Sequence, residues 1–287
     1  MRKTLYGLNW IGSKGLFADQ IINVLPSADT FVDLFCGGCA ITHCALLSGK
    51  YNRVIANDIK DMASFFKQAL EGKIENLYEP VTREEFFMRI KEPKIASCWS
   101  FSGNAESYVW NKETEKINLE LFNCVASDNF QTRKQSLRKA FSLLTDLYDS
   151  GKLNRTSITP ERKTTVFSAL ARVANLSKLS YLSPKLECSH KDYQDVTIPY
   201  NSTVYCDIPY IGCATYNEGK FDHNTFYEWW NAQDFPVFVS EYTAPDAFGC
   251  IWQTTRRVTS GNINYKTSVE KIFVQKRFQN IIDPLFA

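Results

Sequence analysis

The order strand, glycine turn, helix, strand between Phe31 and Asp58 limits this chain more than any other feature. Phe31-Val32-Asp33-Leu34-Phe35-Cys36 is an apolar run that enters Gly37-Gly38, and Ala40 to Leu47 follows with helical character. Arg53-Val54-Ile55-Ala56-Asn57-Asp58 then reads as a second strand closed by an acid. Glycines at a strand-to-helix turn let the backbone approach a ligand where a side chain would block it. Asp58 lies 25 residues after Asp33, close to the spacing at which dinucleotide folds place the acid that binds ribose. A glycine turn alone is common in α/β proteins. With the acid, it points to an adenosine-containing cofactor.

A second strand-end motif lies far downstream. Ser202-Thr203-Val204-Tyr205-Cys206 is β-branched and apolar, reads as a buried strand, and runs into Asp207-Ile208-Pro209-Tyr210. That exit gathers a carboxylate, a stiffened backbone carbonyl and an aromatic face at the carboxyl end of a strand, where open α/β sheets bind ligands. The three groups suit a planar, amino-bearing base: two acceptors for an exocyclic NH2 and a ring to stack on. The plainer alternative is a strand exit with a buried tyrosine.

Composition excludes some classes. No apolar run approaches the ~18 residues of a membrane span, and Met1-Arg2-Lys3 leads into no secretory apolar core, so an intracellular, cytoplasmic chain with no membrane association is expected. Its nine cysteines then read as reduced thiols. Cys36 and Cys39 with His43 hint at a metal site, but they fall inside the glycine turn and no second ligand pair has zinc spacing; no metal is expected. Net charge is only +2, from 33 basic and 31 acidic residues, so nucleic-acid contact must rest on a local basic face.

Strand and helix alternate over residues 1–72 (strand 31–36, helix 39–48, strand 53–57, helix 61–70) and again after Thr203 (strand 203–207, helix 222–231, strands 236–240 and 269–275). Between Gly72 and Pro199 strand signals fade. Asn129 to Ser150 carries Phe130, Leu137, Phe141, Leu144 and Leu147 at helical spacing, with Arg133, Lys134, Arg138 and Lys139 on its polar face. Such cations serve either a phosphate-binding surface or simply a solvated face. Thr159-Pro160-Glu161 has the pattern of a capped helix start, the helix running to about Ser180. The aromatic segment Trp99 to Trp110, with Phe101 and Tyr108, suits a pocket wall or, preferably, a domain junction. The simplest account is an α/β core interrupted by a mainly helical insertion.

In this order the motifs resemble the Dam-like, D12-class DNA adenine-N6 methyltransferases, especially those of phages and prophages. Leu8-Asn9-Trp10-Ile11-Gly12-Ser13-Lys14 is similar to the family's N-terminal cofactor motif, Asp33-Leu34-Phe35-Cys36-Gly37-Gly38 to its methionine-binding motif, and Asn57-Asp58 to its ribose-binding acid. Asp207-Ile208-Pro209-Tyr210 resembles its catalytic Asp-Pro-Pro-Tyr. Phe221-Asp222-His223, Val237 to Tyr242 and Lys266 to Lys271 add weaker matches. The resemblance covers both ends of the chain well and the middle loosely. Two residues depart from the pattern: Ile208 replaces the first proline, where only a backbone carbonyl is needed, and Cys39 sits where many relatives have glycine.

The resemblance implies a Rossmann-like, S-adenosylmethionine-dependent methyltransferase sheet over residues 1–72 and 196–287, with a mainly helical target-recognition domain inserted at 73–195. It implies S-adenosyl-L-methionine as cofactor, held by Trp10, Gly12, Lys14, Asp33, Phe35, Gly37, Gly38, Asp58 and Asp207. The implied substrate is double-stranded DNA, with Asp207, Ile208, Pro209 and Tyr210 acting on a flipped-out adenine. Arg133, Lys134, Arg138 and Lys139 are assigned to DNA phosphates. A bacterial or phage-infected cytoplasm, a cognate restriction endonuclease as candidate partner, and a monomer or weak dimer complete the expectation. Alternatives are an N4-cytosine methyltransferase, with the same amine chemistry, and a catalytically inactive DNA-binding relative. A nicotinamide-dependent oxidoreductase would leave Asp207 to Tyr210 idle, and RNA as substrate stays open on net charge alone.

Overall fold

The computed structural model describes residues 6–151, 160–211, 221–260 and 264–281. The expected cap at Thr159 lies outside them. Two compact units emerge: residues 1–7, 14–64 and 184–287 form the first, and residues 8–13 and 65–183 the second.

The first unit is built on a seven-stranded sheet. Its strands are β1 (Thr30–Asp33), β2 (Arg53–Asn57), β3 (Leu186–Ser189), β4 (Ser202–Asp207), β5 (Val237–Glu241), β6 (Phe248–Ser260) and β7 (Asn264–Gln275), in the spatial order β3-β2-β1-β4-β5-β7-β6. The first five in that order run parallel; β7 is antiparallel to β5, and β6 to β7. Parallel strands are covered on both faces, which is why β1 and β5 are buried along their whole length. Val32, Val204 and Val239 join Phe226 and Trp230 on one face. Phe31 and Tyr205 alternate to the other, where Phe31 packs on Tyr51 at 4.9 Å.

Helix α1 (Ala18–Val24) precedes β1, and α2 (Ala40–Ser48) connects β1 to β2, stopping at Gly49 with φ 72°. This is the α/β, Rossmann-like architecture the motifs imply. The expected strand 31–36 ends at Asp33, and Leu34 to Cys39 form the turn into α2. The short β3 falls inside the range 73–195 assigned to the insertion; it pairs with β2, so residues 184–195 belong with the sheet.

Helix α3 (Met62–Leu70) runs from the first unit into the second. The second contains α4 (Arg83–Arg89), α5 (Pro93–Trp99), α6 (Glu115–Ala126), α7 (Phe130–Asp149) and α8 (Pro160–Leu176). Helix α4 opens with a capping box in which Thr82 and Glu85 each bond the other's backbone. Trp99 contacts Trp110 at 5.6 Å and Phe122 at 4.9 Å, Phe122 stacks on Phe167 at 4.8 Å, and Tyr108 packs on Phe86. The aromatic segment therefore forms this unit's own core rather than a pocket wall or a junction; Phe101 alone of the four is exposed.

The apolar stripe expected on α7 is only partly covered, with Leu144 and Leu147 half-buried. Ser136 and Ala140 are the buried positions, and Phe130, Leu137 and Phe141 stay exposed. Helix α7 packs against α6. In the first unit, helix α9 (His223–Ala232) follows β4, and its N-cap Asp222 accepts from the Asn224 and Thr225 amides.

Candidate active site

Strand β1 has β2 on one side and β4 on the other, so the chain reverses its direction of strand addition at β1. The carboxyl ends beside such a switch form the ligand crevice of an open α/β sheet. Asp33 ends β1 and Asp207 ends β4, with Asp33 in register with Tyr205.

Asp33 is 1 % exposed. The Thr42 hydroxyl donates to its Oδ2 at 2.6 Å, and its Oδ1 has no hydrogen-bond partner among the described residues. Burial pushes its carboxyl up to about 7; the Thr42 bond opposes this, and the charges of Asp207 and Asp58 add to it.

The glycine turn is pinned from several directions. The Cys39 amide closes it onto the Cys36 carbonyl at 2.7 Å, and the Cys36 amide bonds the Asn57 carbonyl at the end of β2. The Gly37 amide donates to Asp58 Oδ2 at 2.8 Å and the Lys60 amide to Oδ1 at 2.8 Å. Gly7 lies against the turn so closely that a Cβ would stand 2.4 Å from the Gly38 carbonyl oxygen, and its amide donates to His43 Nδ1 at 3.1 Å. Burial lowers the His43 pKa to about 4, so it serves as a neutral acceptor.

Cys39 takes φ 57° as the N-cap of α2, a left-handed conformation that glycine adopts freely. The Cys36 and Cys39 sulfurs are 3.5 Å apart, and among the described residues no group of three or more His, Cys, Asp or Glu could hold a metal ion. Phe35 packs edge-on against Phe221 and Phe226.

At the other strand end, Lys14 Nζ is 3.0 Å from Asp207 Oδ1 and 3.9 Å from Glu270 Oε2, and it lies 4.4 Å from the centroid of the Tyr210 ring. Burial raises the Asp207 pKa, and the Lys14 ammonium pulls it back down. The Tyr210 hydroxyl donates to Glu270 Oε2 at 2.9 Å, and its ring meets Tyr242 edge-to-face at 4.6 Å. Glu241, 1 % exposed at the end of β5, accepts from the Ile211 and Tyr242 amides. His223 Nε2 donates to the Pro209 carbonyl at 2.7 Å. Ile208 is buried among Val32, Leu34 and Phe226, an apolar environment that suits the residue standing in place of proline.

The structure thus brings Lys14, Asp207 and Tyr210 together, and Gly37 with Asp58. Trp10 and Gly12 lie in residues 8–13 of the second unit, where the Ile11 amide bonds the Gly103 carbonyl at 3.2 Å. Glu241 and Glu270 fall in segments that the sequence marks only as weaker matches, and Thr42 and the Gly7–His43 pair are not singled out for these roles, because the roles depend on segments that meet only in the folded sheet.

A family model described as D12 class N6 adenine-specific DNA methyltransferase matches residues 10–233. The chain belongs to that family. It is a transferase of the adenine-specific DNA methyltransferase kind. No curated protein matches it. Among the described residues no helix is long and apolar enough to cross a membrane.

On α7, Arg133, Lys134, Arg138 and Lys139 are all exposed. Arg133 bonds the Ser127 carbonyl and lies 3.9 Å from Asp128, and Lys139 lies 3.7 Å from Glu120.

Proposed function

We propose that this D12-class enzyme moves the methyl group of S-adenosylmethionine to N6 of an adenine flipped out of duplex DNA at a specific site. Bound S-adenosylmethionine would supply an electrophilic sulfonium methyl. The residues present fit that cofactor: Asp33 offers a buried carboxylate oxygen with no partner among the described residues, suited to its amino group, and the Asp58 carboxylate beside the glycine turn suits its ribose hydroxyls. Lys14, Phe35, Gly37 and Gly38 are assigned to the same pocket; for Trp10 and Gly12 a cofactor role rests on the resemblance of the Leu8 to Lys14 motif alone.

The adenine amine is a poor nucleophile because its lone pair is delocalised into the ring. The Asp207 carboxylate and the Ile208 carbonyl accept its two hydrogens, localise the lone pair and oppose the positive charge that develops on nitrogen. Tyr210 stacks on the base, held in plane by Glu270 and Tyr242. Holding the amine in line with the methyl supplies the rest through proximity. A base inside a duplex cannot reach a strand-end crevice, so the adenine leaves the stack at a cost of a few kcal/mol. The second unit supplies target recognition, with the α7 cations on phosphates.

The observation that carries this reading is the pair of strand-end carboxylates, Asp33 and Asp207, flanking the switch between β1 and β4. The test is incubation with labelled S-adenosylmethionine and unmethylated genomic DNA, followed by modification-sensitive sequencing. Label on adenine N6 at one sequence supports it; label on cytosine, or none, overturns it.

A further inference from the structure

We propose that the Lys14 ammonium holds the place of the target amine in the DNA-free protein, and that Glu270 is a positioning residue that receives it when the base enters. The inference rests on the methyl-transfer function proposed above. Lys14 makes both interactions that this function gives to the adenine: its ammonium is 3.0 Å from Asp207 Oδ1 and 4.4 Å from the centre of the Tyr210 ring. A base stacked on that ring with its amine on Asp207 needs the volume that the ammonium fills.

The pairing also opposes the chemistry. A carboxylate neutralised by lysine stabilises a developing positive charge on nitrogen poorly, so Lys14 must leave before methyl transfer. Its side chain is only 9 % exposed, and a buried ammonium abandoned without a counter-charge is strongly unfavourable. A second carboxylate lies within reach.

Glu270 Oε2 is already 3.9 Å from the same nitrogen. Strand β7 brings it there: Glu241 at the end of β5 pairs with Lys271, which sets Glu270 just beyond that end, in the strand next but one to β4. The Tyr210 hydroxyl anchors Glu270 at 2.9 Å. Two carboxylates and one ammonium carry the same total charge before and after the exchange. The ammonium moves from Asp207 to Glu270, Asp207 is freed as an anion, and no proton need be gained or lost.

Glu270→Gln separates this role from simple support, because glutamine still accepts the Tyr210 hydroxyl but carries no charge. With labelled S-adenosylmethionine and unmethylated genomic DNA, both saturating, Glu270→Gln should lower kcat roughly tenfold, within the range of coupled pairs. DNA and cofactor dissociation constants should stay unchanged. In a Lys14→Met background the same substitution should cost about twofold or less, since no ammonium remains to be received. Equal losses in both backgrounds, or no loss in either, would overturn the inference.

Nitrogen-15 spectra of the lysine side chains, with Lys14 assigned from Lys14→Met, give a readout independent of turnover. They decide the matter if Lys14→Met is inactive. Adding the DNA should shift the Lys14 signal in the native protein and leave it in place in Glu270→Gln; identical behaviour of the two refutes the exchange. Asp207→Asn separates the failures. If it still methylates, the proposed site is wrong and the inference falls with it. If it is inactive while the Lys14 and Glu270 effects are independent, only the exchange is wrong.

Discussion

Replacing Asp33 by asparagine should change the sign of its effect on stability between acid and alkaline pH. Asp33 is buried, and its carboxyl is raised from 3.8 to about 7. A carboxyl raised on folding leaves the native state at full relative stability only below the unfolded pKa; stability is lost as pH climbs through the folded value. At ~1.4 kcal/mol per unit, about three units amount to roughly 4 kcal/mol above pH 7. Between pH 4.5 and pH 8 the loss assigned to Asp33 is about 3 kcal/mol, because some is already incurred at pH 4.5.

Asparagine has no charge to bury and can still accept the Thr42 hydroxyl. It places an amide donor where Oδ1 lacks a partner, at ~1–3 kcal/mol. Asp33→Asn should therefore be less stable than the native protein at pH 4.5 and more stable at pH 8, without cofactor. Urea unfolding of both proteins at a series of pH values measures this, and the difference between them cancels the other titrating groups. A difference that stays constant across the range refutes the argument. Adding S-adenosylmethionine should reduce the variant's advantage at pH 8, because the native carboxylate then gains a cationic partner.

Three further outcomes are expected. Asp207→Ala should keep the fold and DNA binding but lose methyl transfer by at least ~100-fold, the scale of one preorganised transition-state group; near-normal turnover by the folded variant removes it from catalysis. Asp58→Ala should weaken S-adenosylmethionine binding by roughly 1–3 kcal/mol, and Trp10→Ala and Lys14→Ala should weaken it too; unchanged titration calorimetry for all three would place the cofactor elsewhere. Reversing the charge of Arg133, Lys134, Arg138 and Lys139 together should raise the DNA dissociation constant several-fold and cut the salt slope by about one unit for each phosphate no longer neutralised. Because Arg133 and Lys139 already have acidic neighbours, the slope should fall by less than full phosphate pairing of every one of these cations would give; unchanged binding makes α7 a solvated face.

The legible part of the fold was the part whose signals are local. Strands β1, β2, β4 and β5 are short apolar runs because both faces are covered, and Asp58, Asp207 and the glycine pair mark where those runs end. Strand β3 gave no such signal: of Leu186-Glu187-Cys188-Ser189 only the leucine is buried, and neighbour β2 rather than its own sequence makes it a strand. Helix α7 misled for a related reason. Its periodicity identified a helix correctly, but periodicity names an apolar stripe without saying that it is the buried one; Ser136 and Ala140 are buried while Phe130, Leu137 and Phe141 are exposed.

The active site divides in the same way. In the proposed site, Asp33, Asp58 and Asp207 close strand runs and stand out locally, whereas Glu241, Glu270 and His223, which lie in the segments of weaker match, hold the Asp207 loop from elsewhere in the fold. Cys39 joins the two levels. As a residue it looked like a departure from the glycine of relatives, and only the backbone shows why: φ is 57° there, so cysteine bears a strain of the order of 1 kcal/mol that glycine would relieve. Its side chain is fully buried and its sulfur touches Cys36, packing that offsets part of that strain. The close approach at the turn falls to its neighbours, since Gly7 meets the Gly38 carbonyl and Gly37 donates to Asp58. A side chain at residue 39 is thus compatible with an intact glycine turn, because the close approach that only a missing Cβ permits is made at Gly7.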